Sequence, residues 1–172
     1  MKSLARQALD IAKSIQAEAP VTYVPPSDGT RPLSQSVLTR AITSKTRGYI
    51  ERVVDQINGC YEKGWFDGCA VMMRRLLETL IIESFEAYSL AHKIKNTQTG
   101  DFFYLSDLIS IAIQEPSWNF GRNTKRALPA LKSIGDQSAH SRRYNAHRED
   151  IDKLILDFRT VCQELIYLAK LK

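Results

Sequence analysis

The sequence predicts an all-α protein, an antiparallel four- to five-helix bundle with an N-terminal helix and a proline-rich arm. Apolar residues recur every three or four positions in one segment after another, and the alternation typical of β-strands is nearly absent. The length of 172 residues fits one domain with a core large enough to fold without a metal or a disulfide. A composition of 44% hydrophobic and 25% charged residues is also ordinary for a globular domain.

The first 33 residues stand apart from the rest of the chain. Residues 1–19 show helical spacing of apolar side chains at Leu4, Ala8, Ile11 (or Ala12) and Ile15. Residues 20–33 contain four prolines, which remove backbone donors and fix the φ angle. We therefore predict an N-terminal helix and an extended arm in residues 1–33, followed by the helical bundle in residues 34–172. The N-terminal part is a candidate contact for a partner protein or a second copy of the chain.

Successive helical segments fill the predicted bundle. They cover residues 35–62 (as one or two helices), about 67–90, 107–113, 122–140 and 145–169. The second segment is the longest, and its predicted core stripe consists of Met73, Leu76 (or Leu77), Leu80, Ile81 and Phe85. Pro129 falls inside the fourth segment, where it either bends the helix or marks its first turn. Asn145 is the expected N-cap of the last helix.

The positive charge is concentrated in one part of the chain. The net charge is +5, yet residues 120–148 hold seven basic residues against one acidic residue. Such a segment indicates a polyanionic partner, with nucleic acid first, although a solvated basic surface without a partner also has this pattern. The candidate nucleic-acid-binding residues are Arg122, Lys125, Arg126, Lys132, Arg143 and Arg148.

Several classes of function lack their sequence signatures. The chain has no Gly-x-Gly-x-x-Gly fingerprint, no phosphate-binding P-loop and no Cys-x-x-Cys pair,. Glu83 and Glu86 share a helix face, but the Glu-x-x-His motif of a carboxylate-bridged di-metal bundle is absent,. We therefore predict neither a cofactor nor a metal site. Aromatic residues could also line a small-molecule site, but we interpret them as core or interface residues. They are Trp65, Phe102, Phe103 and Trp118.

The sequence also indicates the cellular compartment in which the protein is expected. No apolar run approaches the roughly 20 residues of a membrane span, and the N-terminus has no apolar region of a signal peptide. The three cysteines are few, odd in number and widely spaced, as in proteins of a reducing compartment. The expected location is the cytoplasm, with no membrane contact.

The junction of the last two predicted helices holds the candidate catalytic residues. Asp136 and His140 are four positions apart, so on a continuous helix they share a face, and a carboxylate beside an imidazole fixes its tautomer. With Arg142 and His147 they form a set suited to phosphodiester cleavage, in which imidazoles transfer protons and arginine stabilises the charge on phosphorus. A structural reading is also open, in which Asp136 and His140 only tie the end of a helix to the following loop.

Two stretches of the sequence resemble one large bacterial family of helical domains. Residues 65–78 contain Arg74-Arg75-Leu76-Leu77-Glu78, which is similar to that family's Arg-Arg-x-Leu-Glu helix. Residues 135–140 read Gly-Asp-Gln-Ser-Ala-His, which resembles its Gly-Asn-x-x-Ala-His motif with aspartate in place of asparagine. The resemblance extends over roughly residues 45–170, and the family is grouped with the HEPN superfamily of helical bundles.

The resemblance implies a helical bundle that acts on RNA. HEPN members are commonly metal-independent RNases or RNA-binding modules of bacterial defence and toxin systems, and their Arg-x(4–6)-His motif is usually completed across a dimer. Arg142 and His147 have this spacing, whereas the histidine at the family's motif position is His140, which has no arginine four to six residues before it. Members that only bind RNA or act as scaffolds are also common. The alternative of a non-catalytic interaction or dimerisation module therefore stays open.

Overall fold

A computed structural model of the chain describes residues 36–172 together with Leu4, Arg6 and Lys13. Apart from those three residues, the N-terminal helix predicted for residues 1–19 and the arm predicted for residues 20–33 lie outside the described residues. The chain divides into two units, Met1–Thr30 and Arg31–Lys172. The bundle described below belongs to the second unit.

Helices make up nearly all the regular structure of residues 36–172, and no strand is present in that range. The seven α-helices are α1 (Arg40–Thr43), α2 (Gly48–Glu62), α3 (Phe66–Ala87), α4 (Leu105–Gln114), α5 (Arg122–His140), α6 (Arg148–Asp152) and α7 (Ile155–Leu168), with a short 3₁₀ helix at Ala91–Ile94. Five of them have ten residues or more. The predicted all-α bundle is therefore confirmed. Within the described part of the chain, each helix is too short or too polar to cross a bilayer.

Helix α3 is the central element of the bundle. Its 22 residues pack against α2, α4, α5 and α7, and this many neighbours explains why so much of its surface is apolar. The core stripe predicted for it is confirmed, since all six of its candidate residues are fully buried: Met73, Leu76, Leu77, Leu80, Ile81 and Phe85.

Helix α5 runs antiparallel to α3. At one end, the ring of Trp118, just before α5, lies 4.8 Å from the ring of Phe85. At the other end, Gly135 of α5 lies against Ala70 and Arg74 in the first half of α3. Helix α5 is continuous from Arg122, so Pro129 lies in its interior and does not mark its first turn.

Gly135 permits a close approach between α3 and α5. A Cβ atom at this position would lie 2.5 Å from the Cβ of Arg74 and 3.1 Å from the carbonyl oxygen of Ala70. The second of these neighbours is backbone, which can move only with its helix. Glycine is therefore required here by the space between the helices, even though it weakens a helix interior.

The last predicted helix is two helices in the structure. His147, not Asn145, stands at the N-cap of α6, and α6 ends before a tight turn in which the amide of Leu154 donates to the carbonyl of Ile151 at 2.9 Å. This i to i+3 bond has 3₁₀ geometry and separates α6 from α7. The apolar period predicted across the segment nevertheless holds, because Ile151, Phe158 and Cys162 are all buried.

We predict that Gly135→Ala destabilises the fold in spite of the higher helix propensity of alanine. Because the new methyl group collides with Arg74 and the Ala70 carbonyl, α3 and α5 must separate, at a cost of about 1–3 kcal/mol. Urea unfolding measures this loss. Gly48→Ala is the matched control, since nothing lies within 4 Å of a Cβ at Gly48, and it should be neutral or stabilising by up to about 1 kcal/mol. Equal effects at the two positions would contradict the packing argument.

Candidate functional site

The loop between α5 and α6 is fixed to the end of the bundle. The amide of the buried residue Ala146 donates a 2.9 Å hydrogen bond to Oδ1 of Asp67 in the first turn of α3. Asp67 also suits that position because a negative charge is favourable at a helix N-terminus. The loop is thereby held at the end of the bundle where α3 begins and α5 ends.

A second anchor lies at the start of α6. The carboxylate of Asp150 accepts hydrogen bonds from the backbone amide of His147 at 3.0 Å and from the hydroxyl of Tyr144 at 3.3 Å. The bond from the His147 amide is the main reason that the pKa of Asp150 lies below its ordinary value. Burial is the main reason that the pKa of Tyr144 is raised. Asp150 therefore stays ionised at neutral pH and holds the end of the loop.

Four basic side chains of this region face solvent. His140 at the end of α5, Arg142 and Arg143 in the loop, and His147 at the start of α6 are all exposed. We call these four residues the basic loop. The side chains of Arg142 and Arg143 form no ion pair or hydrogen bond with any residue that the structure describes. With Ser141 they line an open depression of about 540 Å³, which leaves their guanidinium groups available to an anion.

Asp136 does not pair with His140 in the described part of the chain. Its Oδ1 accepts a 2.6 Å bond from Nε of Arg74, and its Oδ2 accepts a bond from Nζ of Lys132. Arg74 also contacts Oε2 of Glu78 at 3.4 Å. Oδ1 of the predicted catalytic carboxylate thus joins α3 to α5. Its Oδ2 pairs within α5 with Lys132, a predicted RNA contact.

The protonation of Asp136 follows from these partners. Burial by itself raises its pKa, but the hydrogen bonds and charges of Lys132 and Arg74 outweigh that effect, and the net pKa lies below the ordinary value. The aspartate is therefore charged throughout the neutral range.

Arg148 is held against aromatic rings. Its guanidinium carbon lies 4.7 Å from the ring centre of Tyr61 and 5.3 Å from that of Phe66, both within the range of cation–π attraction. The hydroxyl of Tyr61 donates to Asp152. An open depression of about 430 Å³ lies beside these rings. It is lined by Phe66, His147, Arg148, Glu149 and Asp150.

The remaining basic candidates lie at the opposite end of α5. Arg122 and Arg126 are exposed, and Nζ of Lys125 donates to the side chain of Asn119 at 3.0 Å. A straight helix rises 1.5 Å per residue, so Arg122 is about 27 Å along the axis from His140. The basic segment of residues 120–148 therefore divides into two separate surfaces.

Sequence reasoning missed the residues that position the loop. Asp67 and Arg74 act through partners that are 79 and 62 positions away in the chain, and no local pattern reveals such pairs. The motif Arg74-Arg75-Leu76-Leu77-Glu78 was the available signal for Arg74. Its first arginine contacts the aspartate of the second motif, so the two stretches that carry the family resemblance meet in space.

No metal centre is formed among residues 36–172, Leu4, Arg6 and Lys13, where no group of three or more histidine, cysteine or acidic side chains is placed to hold an ion. Glu83 is buried and bonds instead to Nη1 of Arg47 at 3.0 Å and to the hydroxyl of Tyr49. These bonds fix the start of α2 against the second half of α3.

Comparisons with protein-family models, with curated proteins and with solved structures give no match to this chain.

We predict that Asp136→Asn destabilises the bundle by about 1–3 kcal/mol at pH 7, because it removes a charged acceptor from Arg74 and Lys132. The folded pKa of Asp136 is depressed, so its stabilising effect is present above the unfolded pKa of about 3.9 and is lost as the pH falls through the folded value. The measurement is urea unfolding of both proteins from pH 7 to pH 2.5. A difference between them that persists unchanged at the lowest pH would contradict the ion-pair assignment.

Proposed function

We propose that this chain is a HEPN-like RNA-binding protein whose basic loop holds the phosphates of its RNA. The observation that carries the proposal is the exposure of Arg142 and Arg143, neither of which pairs with an acid among the described residues. Guanidinium groups match phosphate oxygens in charge and geometry. The anchoring of the loop by Asp67 supports a pre-formed binding surface, which lowers the entropic cost of ordering side chains on binding.

The proposed chemistry is metal-independent cleavage of the bound RNA. The ribose 2′-oxygen attacks phosphorus and gives its proton to one imidazole of His140 and His147, while the bond to the 5′-oxygen breaks and that oxygen takes a proton from the other imidazole or from water. Arg142 stabilises the charge on phosphorus. In this proposal Asp136 is a positioning residue, because its oxygens are taken by Arg74 and Lys132.

We also propose the setting of a bacterial defence or toxin-type system, with two copies of the chain completing the site, as the resemblance to HEPN domains implies. A cytoplasmic location agrees with the three cysteines, which are all free,. Two of these, Cys69 and Cys162, are buried in the core.

A second candidate function is a non-catalytic interaction or dimerisation module. The observation that favours it is an open groove of about 610 Å³, which Leu156, Tyr167 and Ile42 help to line. Leu156 and Tyr167 are 75% and 77% exposed, and adjoining exposed apolar side chains are typical of protein contact sites. If the wild-type protein binds no RNA, this second function is the better supported of the two.

We expect the double variant Arg142→Ala/Arg143→Ala to weaken RNA binding and to lower its salt dependence. Each lost phosphate contact reduces the slope of log K against log salt by about 0.7 for a single strand, so the pair should reduce it by about 1.4. The measurement is the anisotropy of a short labelled RNA in EDTA over a range of salt concentrations.

The matched control removes the same charge from the far end of α5. Arg122→Ala/Arg126→Ala should leave the affinity for the short RNA nearly unchanged, since that surface lies about 27 Å away. If both double variants weaken binding equally, the binding is a response to net charge and the basic loop is not the site.

Cleavage in EDTA should depend on the two histidines. His140→Ala and His147→Asn are each expected to slow product formation by about 100-fold or more, as the loss of a general acid or base does. Asparagine is chosen at position 147 because it is a favourable N-cap residue and preserves the start of α6. Products with a cyclic phosphate identify attack by the 2′-oxygen. If the wild-type protein binds RNA without cleaving it, the chain is a non-catalytic RNA-binding protein.

A further inference from the structure

Trp65 is an exposed indole on a fixed backbone. It lies in the three-residue connection between α2 and α3, and 66% of its surface is accessible. Gly64 turns the chain with a φ of +77°, and the amide of Trp65 then donates to the carbonyl of Cys60 at 2.8 Å. This is the Schellman arrangement of a helix C-terminus, in which the residue after the glycine usually packs an apolar side chain back onto its helix. The indole of Trp65 is instead left in solvent.

The backbone of Trp65 is also held from the other side. Its carbonyl accepts a 2.9 Å bond from the amide of Cys69 in the first turn of α3. The backbone of the connection is therefore already ordered, and only the side chain of Trp65 loses freedom when a ligand contacts the ring. Rigid presentation of an exposed aromatic side chain is typical of a contact surface rather than of a core residue.

Trp65 lies at the same end of the bundle as the basic loop. It precedes Asp67 by two residues, which places their Cα atoms at most about 7 Å apart, and Asp67 binds the amide of Ala146. The next residue, Phe66, borders the same depression as His147. A ligand held at the loop can therefore reach the connection between α2 and α3.

The aromatic rings beside Trp65 are already occupied. Arg148 covers Tyr61 and Phe66, and these two rings also contact each other edge to face at 5.8 Å. The ring of Trp65, by contrast, makes no aromatic or cation–π contact with any residue in the described part of the chain. With 66% of its surface accessible, the indole is available to an external partner.

Recognition of a single strand combines two components, which are cations and a free aromatic face. The cations hold the backbone phosphates, and the ring stacks on a base that is not paired. Bases inside a double-stranded RNA helix are stacked on one another and cannot meet the ring. The carboxylates of an acidic peptide would also pair with the cations, but they carry no aromatic face to stack on the indole.

We infer that Trp65 is a base-stacking residue, which contacts an unpaired base of an RNA whose phosphates are bound by Arg142 and Arg143. The inference rests on the proposed RNA binding and adds to it a residue outside the basic loop and a preference for unpaired over paired bases. It also gives a physical role to an exposed apolar side chain that the core of the bundle does not use.

The test compares Trp65 variants on two RNA probes, a U-rich single strand and a blunt duplex of the same length. Trp65→Ala should weaken single-strand binding by roughly 5- to 150-fold, the range for loss of one stacked base, and should leave duplex binding unchanged. Trp65→Phe should recover most of the affinity because it keeps an aromatic face. Tyr167→Ala is the matched control and should leave single-strand binding unchanged. It removes a comparably exposed aromatic side chain from the far end of the bundle, since Tyr167 follows Glu164 by three residues in α7 and Glu164 accepts from the amide of Gly121 just before α5.

Fluorescence gives an independent readout because the chain has only two tryptophans. Trp118 is packed against Phe85 and Tyr88, and its indole N–H donates to the carbonyl of Ala112 at 3.0 Å. Single-stranded RNA should therefore quench emission from Trp65 in the wild type, and the quenching should be absent in Trp65→Phe, where only Trp118 emits.

The outcomes separate this inference from the function on which it rests. If the wild type binds single-stranded RNA but Trp65→Ala binds it equally well and no quenching occurs, base stacking by Trp65 is wrong while RNA binding stands. Equal losses for Trp65→Ala on the single strand and on the duplex would also overturn it. If the wild type binds neither probe, the proposed function itself fails and the inference fails with it.

Discussion

The bundle is organised around the close contact between α3 and α5. Gly135 lets the two helices approach so closely that a Cβ atom at this position would lie 2.5 Å from the Cβ of Arg74. One residue later, Asp136 bonds to Arg74 on the facing helix. Close packing and a part-buried ion pair are thus combined at one level of the bundle. An ion pair of this kind adds little stability by itself, but loss of either partner leaves an uncompensated charge, so it favours one register of the helices over others.

This contact also decides what the candidate site consists of. Because Arg74 and Lys132 occupy both oxygens of Asp136, the carboxylate positions helices and the imidazole of His140 is left to solvent. The loop that follows is fixed by Asp67 at the start of α3. The central helix therefore sets both the end of α5 and the place of the basic loop. The exposed indole of Trp65 comes from the connection that leads into the same helix.

The electrostatic surface follows from where the helices begin and end. The first and last turns of a long helix lie far apart, so the basic residues of α5 and its flanking segments form two separate surfaces. At the first, Lys125 is engaged by Asn119 while Arg122 and Arg126 remain exposed. At the second, Arg142 and Arg143 are exposed and Arg148 covers two aromatic rings. Residues of equal charge in the sequence thus differ in how accessible they are to an anion.

Periodicity within one segment is enough to predict the helical class, the extent of α3 and α5 and the buried stripe of α3. The sequence also located the basic loop, whose members lie within eight residues. Three features emerge only when the helices are packed together. Asp136 bonds to Arg74 rather than to His140, Asp67 holds the loop, and His147 rather than Asn145 begins α6. The first two depend on pairs 62 and 79 residues apart, about which local spacing contains no information. The third depends on competition between two neighbouring N-cap candidates, in which the carboxylate of Asp150 accepts a hydrogen bond from the amide of His147.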